Sequence, residues 1–158
     1  MIIAGTGHRP NKLGGYGAEV MSRLKRCAIL ELSRIEPTLV ISGMALGWDQ
    51  ALAKAAIHLK IPFHAYVPFA GQELKWSIHS QREYDDLLEK AHSVIYCSPG
   101  GYSPHKMQIR NERMVDACDL LLALWDGSPG GTANCIRYAQ EVGKNIENCW
   151  HRYVEGKL

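Results

Sequence analysis

Short apolar runs alternate with longer amphipathic stretches along the whole chain. The apolar runs cover residues 2–4, 39–41, 63–67, 93–97 and 120–125. Between them, apolar residues recur every three or four positions, which is the period of a helix with one buried face. These helical stretches cover residues 18–34, 48–59, 81–91, 107–117 and 132–142. The pattern therefore predicts five strands that alternate with helices, and a further short strand near Ile146.

Strands that alternate with helices favour a mostly parallel sheet with helices on both faces. The expected fold class is α/β, as one three-layer domain with a sheet of five to six strands. A chain of 158 residues is long enough for one such domain. We assign residues 1–143 to the domain and residues 144–158 to a C-terminal tail.

Polar or glycine-rich clusters follow four of the predicted strands, at residues 5–9, 42–49, 68–76 and 126–132. Ligands of parallel α/β sheets bind beyond the carboxyl ends of the strands. We therefore expect the four clusters to converge on one crevice.

The last cluster, DGSPGGT, ends the fifth predicted strand and opens a helix. Glycines let a ligand approach the backbone, and the unpaired N–H groups of a helix start suit a phosphate. The alternative is an ordinary turn in which Thr132 caps the helix. Arg110, in the opening turn of the preceding helix, would serve as a charged clamp for the same anion.

Several side chains in the clusters have two interpretations. His8 and Arg9 follow the first glycine turn and either face the ligand or lie in a solvated loop. Asp49, in the first turn of a helix, either balances the helix charge or acts on the ligand as a hydrogen-bonding group, acid or base. Trp76 or Phe69 would stack on a base, or Trp76 would instead pack as part of a lid.

The composition of the chain excludes several classes of protein and of partner. A hydrophobic content of 46% and a charged content of 22% are those of a globular protein. The net charge of +2 is small and the basic residues are scattered, which argues against nucleic acid as the partner. No apolar segment approaches a membrane span, and the first residues read as a strand rather than a leader, so we expect a cytoplasmic protein. The five cysteines show no metal-ligand spacing, so neither a metal nor a cofactor is expected.

Several motifs, in order, resemble the YpsA family of the SLOG superfamily. They are GTGHRP at residues 5–10, VISGMALGWDQALAKAA at 40–56, PFAGQELKWSIHSQREYDDLLEKAHSV at 68–94 and the stretch 110–132. The resemblance implies a Rossmann-like domain that binds a nucleotide or a nucleotide-derived molecule. The superfamily also includes the Lonely guy phosphoribohydrolases and the single-stranded DNA-binding protein DprA.

The phosphoribohydrolase motif P-G-G-x-G-T-x-x-E is incomplete in this chain. Thr132 follows Gly131 directly, and Cys135 stands where the motif has glutamate. A binding or sensing protein is therefore one hypothesis. The alternative is an enzyme that cleaves an N-glycosidic bond, with Asp49, Glu112 or Asp126 as the carboxylate and His8 as the acid. A weaker alternative, which the resemblance implies, is binding of single-stranded DNA in the manner of DprA.

The expected ligand contacts are taken from the strand ends, the loops that follow them and the segment around Arg110. They are Gly5, Thr6, Gly7, His8, Arg9, Ser42, Gly43, Gly47, Asp49, Pro68, Phe69, Gln72, Trp76, Arg110, Asn111, Met114, Asp126, Gly127, Gly130, Gly131 and Thr132.

Apolar residues beyond the inward face of the first helix, at Met21, Ile29 and Leu30, predict a partner surface. Together with the resemblance, they predict a homodimer or a higher homo-oligomer. The alternative is that the tail, with Trp150 and Tyr153, folds back over a helix.

Overall fold

A computed structural model describes residues 1–156 as strands and helices in regular alternation. The strands are β1 (Ile2–Gly7), β2 (Leu39–Ser42), β3 (Phe63–Val67), β4 (Ser93–Tyr96), β5 (Leu120–Leu124) and β6 (Asn145–Asn148). The α-helices are α1 (Ala18–Ile35), α2 (Trp48–His58), α3 (Ile78–Lys90), α4 (Pro104–Ala117), α5 (Gly131–Glu141) and α6 (Trp150–Glu155). A short 3-10 helix at Pro10–Lys12 follows β1.

The strands form one sheet in the order β4-β3-β2-β1-β5-β6, and every neighbouring pair is parallel. Ile3 and Ala4 of β1 point to opposite faces and enter separate hydrophobic clusters. The larger cluster packs α1, α2, α3 and α6, and the smaller one packs α4 and α5. The predicted three-layer α/β class is therefore confirmed. The strand order reverses between β1 and β5, which is where such folds bind ligands.

The segment after Gly143 contributes a strand and a helix to this architecture. β6 pairs with β5 at the edge of the sheet, as the short strand predicted near Ile146. Tyr153 of α6 is buried in the larger core, and the guanidinium of Arg23 on α1 lies 4.7 Å from the centre of its ring. The predicted alternative, in which the tail folds back over a helix, is confirmed for residues 144–156, whereas Lys157 and Leu158 lie outside the described residues.

Two helices begin earlier than the apolar period predicts, because serine caps their first turns. The Ser103 side chain accepts a hydrogen bond from the backbone N–H of Lys106 at 3.2 Å, and Pro104 occupies the first helical position. Ser77 caps α3 in the same way, through the N–H of Ser80 at 3.1 Å. The placement of Arg110 in an opening turn was wrong: it lies in the middle of α4.

The outward apolar stripe expected on α1 is largely covered. Met21 and Ile29 pack against the larger core, and Leu30 alone of these three is well exposed, at 46%. Of the helices in residues 1–156, none combines the length and apolarity that crossing a membrane requires.

Candidate functional site

A crevice of about 780 Å³ opens at the carboxyl ends of β1 and β5, between α4 and α5. We call it the central crevice. Four segments line it: the end of β1 with the loop to Lys12, the start of α2, α4 with the preceding Tyr102, and the turn before α5 with one side of that helix. The fold thus brings three of the four predicted clusters to one place.

More than half of the expected contact residues line the central crevice. These are Gly5, Thr6, Gly7, His8, Arg9, Asp49, Arg110, Asn111, Gly130, Gly131 and Thr132, joined by the candidate carboxylate Glu112. The others lie outside its lining: Ser42, Gly43, Gly47, Pro68, Phe69, Gln72, Trp76, Met114, Asp126 and Gly127.

The turn before α5 leaves the start of that helix uncapped. Gly130 occupies the N-cap position with a φ of 142°, and within the described chain no side chain accepts a hydrogen bond there. Thr132 therefore does not act as the cap. Lys12 lies against this turn, with its Nζ donating to Ser128 Oγ at 2.9 Å and to the Pro129 carbonyl at 3.2 Å. An ammonium group thus adds to the positive end of the helix, where an anion is favoured.

A histidine–aspartate contact ties the ends of β1 and β5 together. His8 Nε2 lies 2.7 Å from Asp126 Oδ1, and the same oxygen accepts from the Ser128 N–H at 2.9 Å. Hydrogen bonds from the side chain and backbone of Ser128 hold the pKa of Asp126 well below its ordinary value against partial desolvation, and His8 adds a smaller contribution in the same direction. The Asp126 carboxylate is therefore engaged within its own turn, whereas His8 reaches the crevice.

Asp49 and Arg110 form a buried polar floor. Asp49 Oδ2 accepts from the Ala45 N–H at 3.3 Å, and burial raises its pKa although the nearby charge of Arg110 opposes the rise. Arg110 Nε donates to Asn111 Oδ1 at 2.9 Å, and its Nη1 donates to the Gly43 carbonyl. Burial lowers the pKa of Arg110, again against the opposing effect of the Asp49 charge.

Several of the predicted glycines make room for protein side chains. A Cβ on Gly7 would lie 2.5 Å from the Trp48 ring, and one on Gly5 would lie 2.1 Å from Leu52. A Cβ on Gly43 would meet both floor residues, at 2.6 Å from Arg110 Nη1 and 2.8 Å from Asp49 Oδ2. These contacts account for Gly5, Gly7 and Gly43 through packing, without a ligand.

The cluster after β3 lies to one side, because β3 is two strands away from β1. Trp76 packs edge-on against Tyr84 at 5.3 Å between ring centres, as the alternative of a packing role predicted. Gln72 donates to the Gly43 carbonyl at 3.4 Å and so supports the floor from outside. Phe69 is buried and contacts Tyr102, which does line the crevice.

Some lining residues were not predicted from the sequence. On α5 they are polar and recur with helical spacing, at Asn134, Arg137, Tyr138 and Glu141. That polar stripe beside a glycine turn is a signal that the sequence contains. Lys12 and Tyr102 have no comparable signal, since the apolar pattern predicts only a loop at each position. No cluster of three or more potential metal ligands occurs among residues 1–156.

Comparison with protein families and curated proteins gives consistent results. A family model described as the YspA SLOG family (YpsA) matches residues 3–150. The SPbeta prophage-derived protein YoqJ of Bacillus subtilis is 36% identical over 119 residues, which are 65% of this chain and 69% of that protein. A UPF0398 protein of Bacillus thuringiensis is 25% identical over 163 residues, covering 96% of this chain and 88% of the relative.

Solved structures with the same fold include two DNA processing proteins A (DprA). The Streptococcus pneumoniae protein superposes with a TM-score of 0.66 at 19% identity, over 91% of this chain and 48% of that one. The Helicobacter pylori protein, described with its single-stranded DNA binding mode, superposes with a TM-score of 0.67 at 16% identity, over 92% of this chain and 63% of that one. This chain thus spans about half to two thirds of the DprA chains, and the likeness establishes the fold.

Proposed function

Since the chain belongs to the YspA SLOG family, we propose that it binds a nucleotide or nucleotide-derived small molecule in the central crevice, as a binding or sensing protein. The observation that carries the proposal is the position of Lys12 at the uncapped start of α5. A cation beside the positive end of a helix is unfavourable unless an anion joins the two. A phosphate group of the ligand would supply that anion.

Further cationic side chains support the same arrangement. Arg9 and Arg137 line the crevice together with the glycine turn, and Arg110 lies at its floor. In the described part of the chain, the hydrogen bonds of Arg110 are donated by Nε and Nη1, and Nη2 has no hydrogen-bond partner there. We assign Nη2 to the ligand anion as a second, charge-assisted contact.

Isothermal titration with a panel of nucleotides tests the proposal. The panel contains nucleoside mono- and diphosphates, ADP-ribose and cyclic nucleotides. We expect binding by at least one member, and Lys12→Ala to weaken it roughly 10- to 100-fold, the effect of losing a charged hydrogen bond. Lys12→Arg should retain most of the affinity, and Lys90→Ala, on the exposed side of α3, should leave it unchanged. Absence of binding across the panel would contradict the proposal.

A single-stranded oligonucleotide belongs in the same panel, because the Helicobacter pylori relative was described with that ligand. Binding through phosphates alone would weaken steeply with added salt and would not depend on base identity. Affinity for the oligonucleotide that exceeds affinity for every mononucleotide would favour a nucleic-acid partner instead.

Cleavage of an N-glycosidic bond is the second candidate, favoured by the burial of Asp49. A buried carboxyl with a raised pKa that lines a crevice is suited to proton transfer, and Glu112 lines the same crevice. Asp126 suits this role less well, because Ser128 and His8 already occupy its carboxylate. His8 would protonate the leaving base.

Chromatography of nucleoside monophosphates incubated with the protein tests this second candidate. Turnover predicts release of free base, slowed at least 100-fold in Asp49→Asn, in line with the contribution of a general acid or base. If base is released and the Asp49→Asn variant keeps the wild-type rate, the role assigned to Asp49 is wrong. If no base is released while nucleotides bind, the protein acts by binding alone.

A further inference from the structure

We infer that the α4 wall of the central crevice holds an aromatic base, so that the ligand lies with its base toward α4 and its phosphate toward α5. We call this surface the base wall and define it as Tyr102, Pro104, Met107, Gln108 and Asn111. The inference rests on the proposed function, and it specifies the ligand as a nucleoside phosphate rather than a sugar phosphate or an inorganic anion.

Tyr102 supplies a flat aromatic surface at the mouth of the crevice. Its side chain is 68% exposed, which is unusual for a large aromatic residue that lines a cavity. The ring nevertheless has a fixed support, because Phe69 packs edge-on against it with 6.0 Å between ring centres. Phe69 is itself only 5% exposed. An aromatic ring with buried support on one side and open space beside it is suited to stack on a base.

The loop that carries Tyr102 is tied to the start of α4. Lys106 Nζ donates to the Gly101 carbonyl at 2.6 Å, and the Ser103 side chain caps the helix. These bonds hold the backbone on both sides of Tyr102. They also engage the Lys106 ammonium with the loop.

The remaining base-wall residues continue the surface along one side of α4. Positions 104, 107, 108 and 111 follow the spacing i, i+3, i+4 and i+7, which places them on one helix face. Pro104 and Met107 are apolar, and Gln108 and Asn111 each carry an amide. Asn111 Oδ1 already accepts from Arg110 Nε, which leaves its NH2 group to donate to a ring nitrogen or carbonyl.

The opposite wall has a different chemistry. There, the lining is Lys12, the glycine turn and one side of α5, where Arg137 is joined by Asn134, Tyr138 and, furthest from the turn, Glu141. The base wall is thus apolar with amides, whereas the turn opposite it carries a lysine ammonium and free backbone N–H groups. A nucleoside phosphate has the same division between an aromatic base and an anionic group, whereas a sugar phosphate lacks the first part.

Calorimetric titration of matched probes tests the base wall. The probes are the four common nucleoside 5′-monophosphates and ribose 5-phosphate, which keeps the phosphate and lacks the base. We expect the best nucleotide to bind wild-type protein more tightly than ribose 5-phosphate. Tyr102→Ala should weaken nucleotide binding roughly 5- to 100-fold, the range for loss of one stacked base, and should leave ribose 5-phosphate unchanged.

Two control variants complete the design. Tyr102→Phe keeps the ring and should retain nucleotide affinity, and Tyr16→Ala removes an exposed tyrosine outside the crevice and should change nothing. Ribose 5-phosphate that binds wild-type protein as tightly as the best nucleotide would overturn the base wall while leaving the phosphate site of the proposed function intact. Equal weakening of both probes by Tyr102→Ala would also overturn it. If none of these probes binds, the base wall is overturned, and the wider nucleotide panel then decides whether the proposed function fails as well.

Discussion

Arg110 carries a buried positive charge whose hydrogen bonds go mainly to neutral oxygens. It is 4% exposed and donates to the Gly43 carbonyl, to the Tyr66 carbonyl at 3.5 Å and to Asn111 Oδ1. We expect Arg110→Ala to lower the free energy of unfolding by about 1–3 kcal/mol, because it leaves buried acceptors unpaired. It should also weaken anion binding.

Urea denaturation checks the stability effect, with Arg82→Ala on the exposed side of α3 as the control. Arg110→Lys should recover part of the loss, since the ammonium restores the charge but not the forked geometry. An unchanged unfolding free energy in Arg110→Ala, with lost ligand binding, would show that the floor does not depend on this residue.

The protonation of Asp49 should stabilise the folded protein. Burial raises its folded pKa, against opposition from the charge of Arg110, a hydrogen bond from the Ala45 N–H and the charge of Arg9. The folded protein therefore binds this proton more tightly than the unfolded chain. The stabilisation is fully present below the ordinary aspartate pKa of about 3.9 and is lost as pH rises through the raised folded pKa. Wild-type protein should thus gain melting temperature relative to Asp49→Asn as pH falls from neutral toward about 4.

Thermal melts of both proteins across that pH range measure this difference, and the exposed Asp85→Asn serves as a reference. A melting-temperature difference that stays constant with pH would contradict the raised pKa. A difference of the opposite slope would mean that the positive charges of Arg110 and Arg9 outweigh the burial of the carboxylate.

At the residue scale, the sequence identified lining residues of the crevice in the loops that follow β1 and β5. His8, Arg9, Gly130 and Gly131 are examples. It failed for Trp76, because the pattern of strands does not reveal which strand ends are neighbours in the sheet. Tyr102 could not be predicted, since its role depends on contact with Phe69, which is distant in the chain.

Among the elements, the attachment of α6 to α1 depends on a buried carboxylate. Glu31 is 3% exposed and accepts hydrogen bonds from Arg34 at 2.7 Å and from Arg152 at 2.8 Å. Burial raises the pKa of Glu31, but the hydrogen bonds from Arg152 and Arg34 outweigh it and lower the pKa overall. The ionised Glu31 therefore contributes to the stability of the folded protein. This contribution is present above the ordinary glutamate pKa of about 4.3 and is lost as pH falls through the lowered folded pKa.

Glu31→Gln should therefore lower the free energy of unfolding at neutral pH by about 1–3 kcal/mol, the range for hydrogen bonds to charged groups. The difference from wild type should shrink as the solution is acidified. Denaturant titrations at neutral and acidic pH measure it, with exposed Glu89→Gln as the matched control. An undiminished difference at acidic pH would assign the effect to packing rather than to charge.

The boundaries of the elements show what an apolar period omits. The spacing of apolar residues identified the inward sides of α3 and α4 but not their first turns. The first buried residues of these helices are Tyr84 and Arg110, so the first turns carry no buried apolar side chain. Ser77 and the Ser103-Pro104 pair mark both starts through capping chemistry. Capping residues therefore mark helix starts that the spacing of apolar residues does not reveal.

On the scale of the whole molecule, the predicted homo-oligomer stays a prediction. Of the three residues proposed on α1, only Leu30 is well exposed, so the surface offered there is smaller than expected. Other exposed apolar side chains are Leu74, Ile78 and Tyr96. Light scattering during size-exclusion chromatography should give a multiple of the chain mass, and Leu30→Glu should reduce it. A mass of one chain at micromolar concentration would contradict the prediction.

The position of β1 has a consequence for how the chain folds as the ribosome releases it. β1 emerges before the other strands, yet one of its two neighbours, β5, emerges only after three helix–strand units and α4. Until then the nascent half-sheet has an apolar open edge at Ile2 and Ile3, which can pair with other unfinished chains. The arrival of β5 closes that edge, and α5, which follows β5 in the chain, then takes its place opposite α4. The crevice between α4 and α5 is therefore completed only after this open edge has been covered.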